Sequence, residues 1–107
     1  MFESLKKLLG ITPKVSLADL VKEGAMIIDV RTKGEYATGH IRGSVNIPLD
    51  KLAANLNKLK GKTKPIITCC ASGGRSASAK GILTSHGFTN VHNGGAWMSL
   101  RRKADIY

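Results

Sequence analysis

Long hydrophobic runs are missing from this chain. No apolar stretch approaches the ~20 residues that a membrane span requires, so no membrane span is expected. Acids are scarce: seven Asp and Glu stand against 17 Lys and Arg, a formal net charge of +10. Aromatic residues make up only 5% of the chain. The basic residues are scattered, and no nucleic-acid reader motif accompanies them, so nucleic acid is not an expected partner. The surplus positive charge suits small anions or an acidic protein partner. Histidine is rare, and none stands at metal-ligand spacing from a cysteine, so no metal site is expected. Cysteine is limited to Cys69 and Cys70, side by side. Adjacent cysteines enclose no loop and have poor geometry for a relaxed disulfide. They are therefore free thiols, which fits a reducing compartment. The opening stretch MFESLKKLLG lacks the apolar core and small-residue cleavage site of a signal peptide. A cytoplasmic location is the expectation.

What is present suits one folded domain. The chain has 107 residues, 42% of them apolar, enough for a single core. Phe2, Leu5, Leu8 and Leu9 share one face of a short N-terminal helix, expected to pack on the domain. Ser16-Leu17-Ala18-Asp19 resembles a capping-box start with Asp in place of Glu; Leu17, Leu20 and Val21 form the buried stripe and Gly24 ends the helix. Ala25 to Val30 is a short apolar run, read as a buried strand. A turn and short helix follow, closed by Gly39. Ser44 to Pro48 is a second strand. Leu49, Leu52, Leu56 and Leu59 have helical spacing. Pro65 introduces a third strand, "KPIITC". Ala79, Ile82, Leu83 and His86 keep a helical face, with Gly87 at the C-cap. "FTNVHN" is a last strand, and "GGAWMSLRR" opens a final turn or helix. Strands alternating with helices imply an α/β fold: a mostly parallel sheet of about five short strands, covered by helices on both faces. Ligands of such sheets bind beyond the carboxyl ends of the strands.

The segment "CASGGRS" lies at that edge. Ala71, Ser72, Gly73 and Gly74 have almost no side chain, and a helix begins near Arg75. A tight loop of this kind can turn its amides inward as an anion nest. The helix N-terminus adds unpaired donors and a positive dipole end. Arg75 adds a planar cation suited to oxyanions. A thiol at the mouth of the nest is favoured as thiolate, and the thiolate is the nucleophile. A glycine-rich turn with an incidental buried cysteine would carry the same letters. Strand alternation sends the two cysteines to opposite faces and does not choose between them. Position does: Cys70 is the residue that enters the loop, while Cys69 sits one step back and is read as packing.

These residues, with others along the chain, resemble the single-domain rhodaneses. "IIDVRTKGEYATGHIRGSVNIPL" is similar to that family's D-V-R, E-Y, G-H-I-x-G and N-I-P signature. "TCCASGGRSASA" aligns with its active-site loop, and "NVHNGGAWMSL" resembles its closing G-G-x-x-x-W region, with Trp97 arriving early. The resemblance runs from about Pro13 to Leu100, so residues 1–12 are expected to be a helical extension and 13–107 a rhodanese-like domain. It implies a sulfurtransferase with Cys70 as nucleophile, becoming a persulfide, and Arg75 closing the loop. Ala71, Ser72, Gly73, Gly74 and Ser76 would bind substrate. The implied partners are a small anionic sulfur donor such as thiosulfate and a thiol or cyanide acceptor. No metal or organic cofactor is implied.

Loop length separates this chemistry from its relatives. Among rhodanese relatives a loop of C-x4-R serves sulfane sulfur, and a loop one residue longer serves phosphate-like oxyanions. Cys70 to Arg75 is the shorter form. A phosphatase or arsenate reductase on the same scaffold, and a non-catalytic binding module, are the competing functions. Where family members often carry a larger or charged residue after the cysteine, Ala71 stands here, which removes a contact to an anionic donor. Asp29, Arg31 and Glu35 are expected to form one ion-pair frame supporting the loops. His40 is read as a hydrogen-bonded structural residue, His86 and His92 as surface or half-buried, and Trp97 as a core plug.

Overall fold

The computed structural model describes residues 16–59 and 61–107. The helix expected around Phe2 to Leu9 lies outside the described residues, as does the boundary at residue 13. Helix α1 (Leu17–Lys22) starts where Ser16 Oγ accepts the Asp19 amide at 3.3 Å. Strand β1 (Met26–Asp29) follows. Helix α2 (Lys33–Ala37) is entered through a full capping box. Thr32 Oγ1 accepts the Glu35 amide at 3.2 Å, and Glu35 Oε1 accepts the Thr32 amide at 3.1 Å. These two bonds satisfy orphan donors at both positions. The Thr-x-x-Glu signal is in the sequence, although the sequence-based expectation placed only a turn and short helix there.

Strand β2 (Val45–Asn46) leads to α3 (Leu49–Leu52) and then to a 3-10 segment, Ala53–Lys58. The leucine spacing predicts one continuous helix here, and the structure corrects it. The Asn55 side-chain amide donates to the Lys51 carbonyl at 2.7 Å, the acceptor that a continuing α-helix would give to the Asn55 backbone. Strand β3 (Ile66–Cys70) is buried along its whole length. Helix α4 (Gly74–Ser85) ends at His86, with Gly87 beyond it at φ +92°. Strand β4 is Val91–Ala96 and runs directly into α5 (Trp97–Ala104). It begins later than the "FTNVHN" expectation. The Phe88 amide still bonds back to the Leu83 carbonyl at 3.1 Å, so Phe88 belongs to the helix-ending turn.

The sheet order is β2-β1-β3-β4, and every neighbouring pair is parallel. Four strands stand among the described residues, against the about five expected. They correspond to the four short strands read from the sequence. One face of the sheet packs Ile28, Val30, Leu52, Ile66, Cys70, Ala79, Leu83 and Phe88. The other packs Ile27, Ile41, Ile67, Cys69 and Leu100, with Leu17, Leu20, Val21 and Trp97 against them. Ile66 and Ile67 therefore feed opposite layers, as do Cys69 and Cys70.

The ladder between β3 and β4 is irregular at the end that matters. Thr68 pairs Asn93, yet Cys70 pairs Ala96, so Gly94 and Gly95 form a bulge opposite the cysteines. Gly94 admits no side chain: an added Cβ would lie 2.7 Å from Ile67 Cγ2 and 2.8 Å from the Thr68 carbonyl oxygen. Gly95 has φ +74°, and its Cα would lie 3.8 Å from a Cβ built on Gly73. The bulge thus brings β4 against the loop that follows β3.

Candidate active site

The loop between β3 and α4 closes around the sulfur of Cys70. The Gly73 amide donates to Cys70 Sγ at 3.0 Å and the Ser76 amide donates to it at 3.3 Å. Gly73 reaches this geometry at φ +109°, a left-handed conformation that glycine adopts without steric cost. The Ser76 hydroxyl lies 3.5 Å from the same sulfur. Ser76 is the third residue of α4, so its amide is one of the donors that a helix start leaves free. Ala71, Ser72 and Gly74 are exposed and Ser76 is buried.

The two thiols are pushed in opposite directions. Burial raises the Cys70 thiol, but the Ser76 hydroxyl and the amides of Ser76, Gly73 and Ser72 outweigh it, and the net position is below the ordinary cysteine value. Cys69 has no such donors. Burial, followed by the Asp29 charge, pushes it up to about 12. Of the two, Cys70 is the one arranged to ionise.

One expectation needs correction. Cys70 was expected to project into the mouth of the nest; it is only 1% exposed and forms the floor. The cause is its pairing with Ala96, which keeps it in the ladder and seats it on the layer containing Val30 and Ala79.

The charged residues also divide differently from the single frame expected. Arg31 and Asp29 form one buried pair, with Arg31 Nε donating to Asp29 Oδ1 at 2.9 Å and Nη2 to Oδ2 at 2.7 Å. Arg31 also donates to the Gly39 carbonyl at 2.7 Å and lies 4.7 Å from the Trp97 ring centre. Trp97 is half-buried, so it roofs this pair as well as covering core. Glu35 pairs instead with Arg75, in a two-pronged clasp of 2.6 and 2.9 Å. Arg75 lowers the Glu35 carboxyl most, with help from the Thr32 amide, to about 2. The guanidinium is therefore already partnered. It ties the start of α4 to the start of α2, and amide dipoles supply the field at the sulfur. Sequence spacing gave no sign of this pair, whose members stand 40 positions apart.

His40 Nδ1 lies 2.8 Å from the Tyr36 carbonyl, and its ring stacks on Tyr36 at 3.7 Å. His86 is exposed and His92 half-buried. Asn93 went unnoticed in the sequence. Its Oδ1 accepts the Ser76 hydroxyl at 2.7 Å and the Gly95 amide at 2.9 Å. Adjacent glycines inside a strand were the available signal, because they mark bulges. Among the described residues, no cluster of three or more His, Cys, Asp or Glu could hold a metal, and no helix is long and apolar enough to cross a membrane.

The chain has measurable relatives. A family model described as "Rhodanese-like domain" matches residues 13–95. The uncharacterized protein YqhL of Bacillus subtilis is 38% identical over 69 residues, covering 64% of this chain and 54% of that protein. The chain thus spans about half the length of that relative. The thiosulfate sulfurtransferase GlpE of Pseudomonas entomophila is 34% identical over 83 residues, 78% of this chain and 74% of the relative. Among solved structures, the human single-domain sulfurtransferase TSTD1 superposes with a TM-score of 0.71 at 28% identity, covering 86% of this chain and 97% of that one.

Proposed function

The chain belongs to the rhodanese-like domain family, and on that premise we propose that it is a sulfurtransferase working through a persulfide on Cys70. The Cys70 thiolate attacks the outer sulfur of a donor such as thiosulfate. A sulfur–sulfur bond forms to Cys70, the donor's own sulfur–sulfur bond breaks, and sulfite leaves with the electron pair. A thiolate or cyanide acceptor then attacks the outer sulfur of the persulfide, and the Cys70 thiolate returns. Each half-reaction keeps one negative charge at the loop. The observation that carries this proposal is the convergence of the Gly73 and Ser76 amides on Cys70 Sγ, at 3.0 and 3.3 Å. Fixed dipoles aimed at that charge need no reorganisation as it moves from sulfur to sulfur.

The role of Arg75 in this scheme is to hold the loop shut through Glu35, which keeps the amides aimed inward. Asp29 and Arg31 support the adjoining loop. The four residues between Cys70 and Arg75 suit a single bound sulfur better than a tetrahedral phosphate. Neither the donor nor the acceptor is specified by the nest itself, since amides recognise charge rather than identity.

Mass spectrometry after exposure to thiosulfate tests the proposal. The parent protein is expected to gain ~32 Da, located on Cys70, and Cys70→Ser is expected to gain nothing. Phosphatase turnover in a parent that takes up no sulfur would overturn it. So would sulfur transfer that survives Cys70→Ser.

A further inference from the structure

The Ser76 hydroxyl has one proton and three neighbours that can accept it. The Gly73 carbonyl lies 3.0 Å away, Asn93 Oδ1 2.7 Å away, and Cys70 Sγ 3.5 Å away. The orientation of the Asn93 amide is fixed by a fourth group. The Gly95 backbone N–H donates to the same Asn93 atom at 2.9 Å, so that atom is the oxygen and not the nitrogen. With the Ser76 proton on Asn93, the shortest of the three contacts, a lone pair of Ser76 Oγ faces the Cys70 sulfur. That arrangement suits a protonated thiol, which can donate S–H to Ser76 Oγ. It opposes a thiolate, which needs the hydroxyl to turn and donate to sulfur.

We propose that Asn93 is a positioning residue that competes with the Cys70 sulfur for the single Ser76 proton, and so sets how readily Cys70 ionises. The proposal rests on Cys70 being the nucleophile, as argued above. Asn93 sits on β4 just before the bulge, where Thr68 is its ladder partner. The bulge residue Gly95 both holds the Asn93 oxygen and lies against Gly73. Strand β4 therefore reaches into the nest without touching the sulfur. The charged groups nearby are Arg75, next to Ser76 on α4 and clasped by Glu35 of α2, and the Asp29–Arg31 pair beside Cys69. On α4 and β4, Lys80 and His92 are each other's charge neighbours. None of these groups is a hydrogen-bond partner of Asn93 or the Ser76 hydroxyl.

The test reads Cys70 ionisation without relying on sulfur transfer. The Cys70 thiolate displaces iodide from iodoacetamide, and the rate is followed against pH by peptide mass, which separates Cys70 from Cys69. In Asn93→Ala the shortest competing acceptor is gone and the sulfur competes only with the Gly73 carbonyl, 3.0 Å from Ser76 Oγ, so alkylation below the midpoint should rise roughly threefold to tenfold, with the midpoint moving to lower pH. Asn93→Asp keeps both accepted bonds and strengthens the competitor, so its midpoint should move to higher pH. A loop loosened by either substitution would shift both variants the same way. In a Ser76→Ala background, Asn93→Ala should have no effect on the midpoint. An unchanged or raised midpoint in Asn93→Ala, or an equal shift when Ser76 is already Ala, overturns the proposal. If the parent alkylates at Cys70 with a depressed midpoint yet forms no persulfide, the sulfurtransferase assignment fails while this one stands.

Discussion

Replacing Gly94 by alanine tests whether the bulge in β4 has the tight geometry described. The new Cβ would lie 2.7 Å from Ile67 Cγ2, 2.8 Å from the Thr68 carbonyl oxygen and 3.0 Å from Leu100 Cδ2. Leu100 can adjust its rotamer. The Thr68 carbonyl cannot, because it belongs to the central strand and moves only with the ladder. Forcing a methyl group into a packed layer costs about 1–3 kcal/mol. For a domain of this size each 1 kcal/mol lowers the melting temperature by roughly 4–8 °C. A fall of roughly 5–20 °C is therefore expected by calorimetry or by far-ultraviolet circular dichroism. Gly81→Ala is the control: it lies within α4, and nothing stands within 4 Å of its would-be Cβ. There alanine should stabilise by roughly 0.5–1 kcal/mol, since glycine weakens helix interiors. Slower alkylation of Cys70 should accompany Gly94→Ala, because Gly95 and Asn93 move with the same backbone. A melting temperature equal to that of the parent would refute the close packing of β3 on β4.

Further outcomes follow from the two cysteines and the clasp. Cys69→Ala should keep most sulfur-transfer turnover, and a loss equal to that of Cys70→Ser would reassign the nucleophile. The same variant should flatten the alkaline side of the stability profile. The Cys69 thiol is raised in the folded chain, to about 12 from an ordinary 9.0, so its contribution is full below pH 9 and is lost as pH climbs towards 12; denaturant melts across that window check it. Glu35 has the opposite sign. Its carboxyl is lowered to about 2 from 4.5, so its contribution is present above pH 4.5 and is lost as pH falls towards 2. Arg75→Ala should return Glu35 towards ordinary carboxylate behaviour in a carboxyl NMR titration and slow persulfide formation; an unmoved titration would show that the clasp does not hold in solution.

The parts of this molecule legible in its sequence are those governed by local chemistry. The apolar runs before Asp29 and Cys70 became the two inner strands because a sheet covered on both faces needs apolar side chains on both. Gly87 ended α4 as expected because the turn after it requires a left-handed residue. The nest was legible because small residues between a strand and a helix leave the backbone few other ways to turn. What escaped notice depends on residues distant in sequence or on competition between local options. Glu35 meets Arg75 only after β1, α2 and β3 are stacked, so no spacing rule points to it. Leucines at helical intervals did not reveal that Asn55 would take a backbone acceptor and tighten the helix into a 3-10 segment. The depth of Cys70 came from the β4 register, which is set by glycines 24 and 25 positions further along.

The two thiols are neighbours along the chain but strangers in space. A pleated strand acts as a partition between them, with one sulfur in each compartment and no route around the backbone. For the Cys69 sulfur to reach Cys70 it would have to pass through the ladder, breaking hydrogen bonds that β3 makes to β1 and β4. On the proposed persulfide cycle, the outer sulfur then has to be taken up by a second molecule rather than by Cys69.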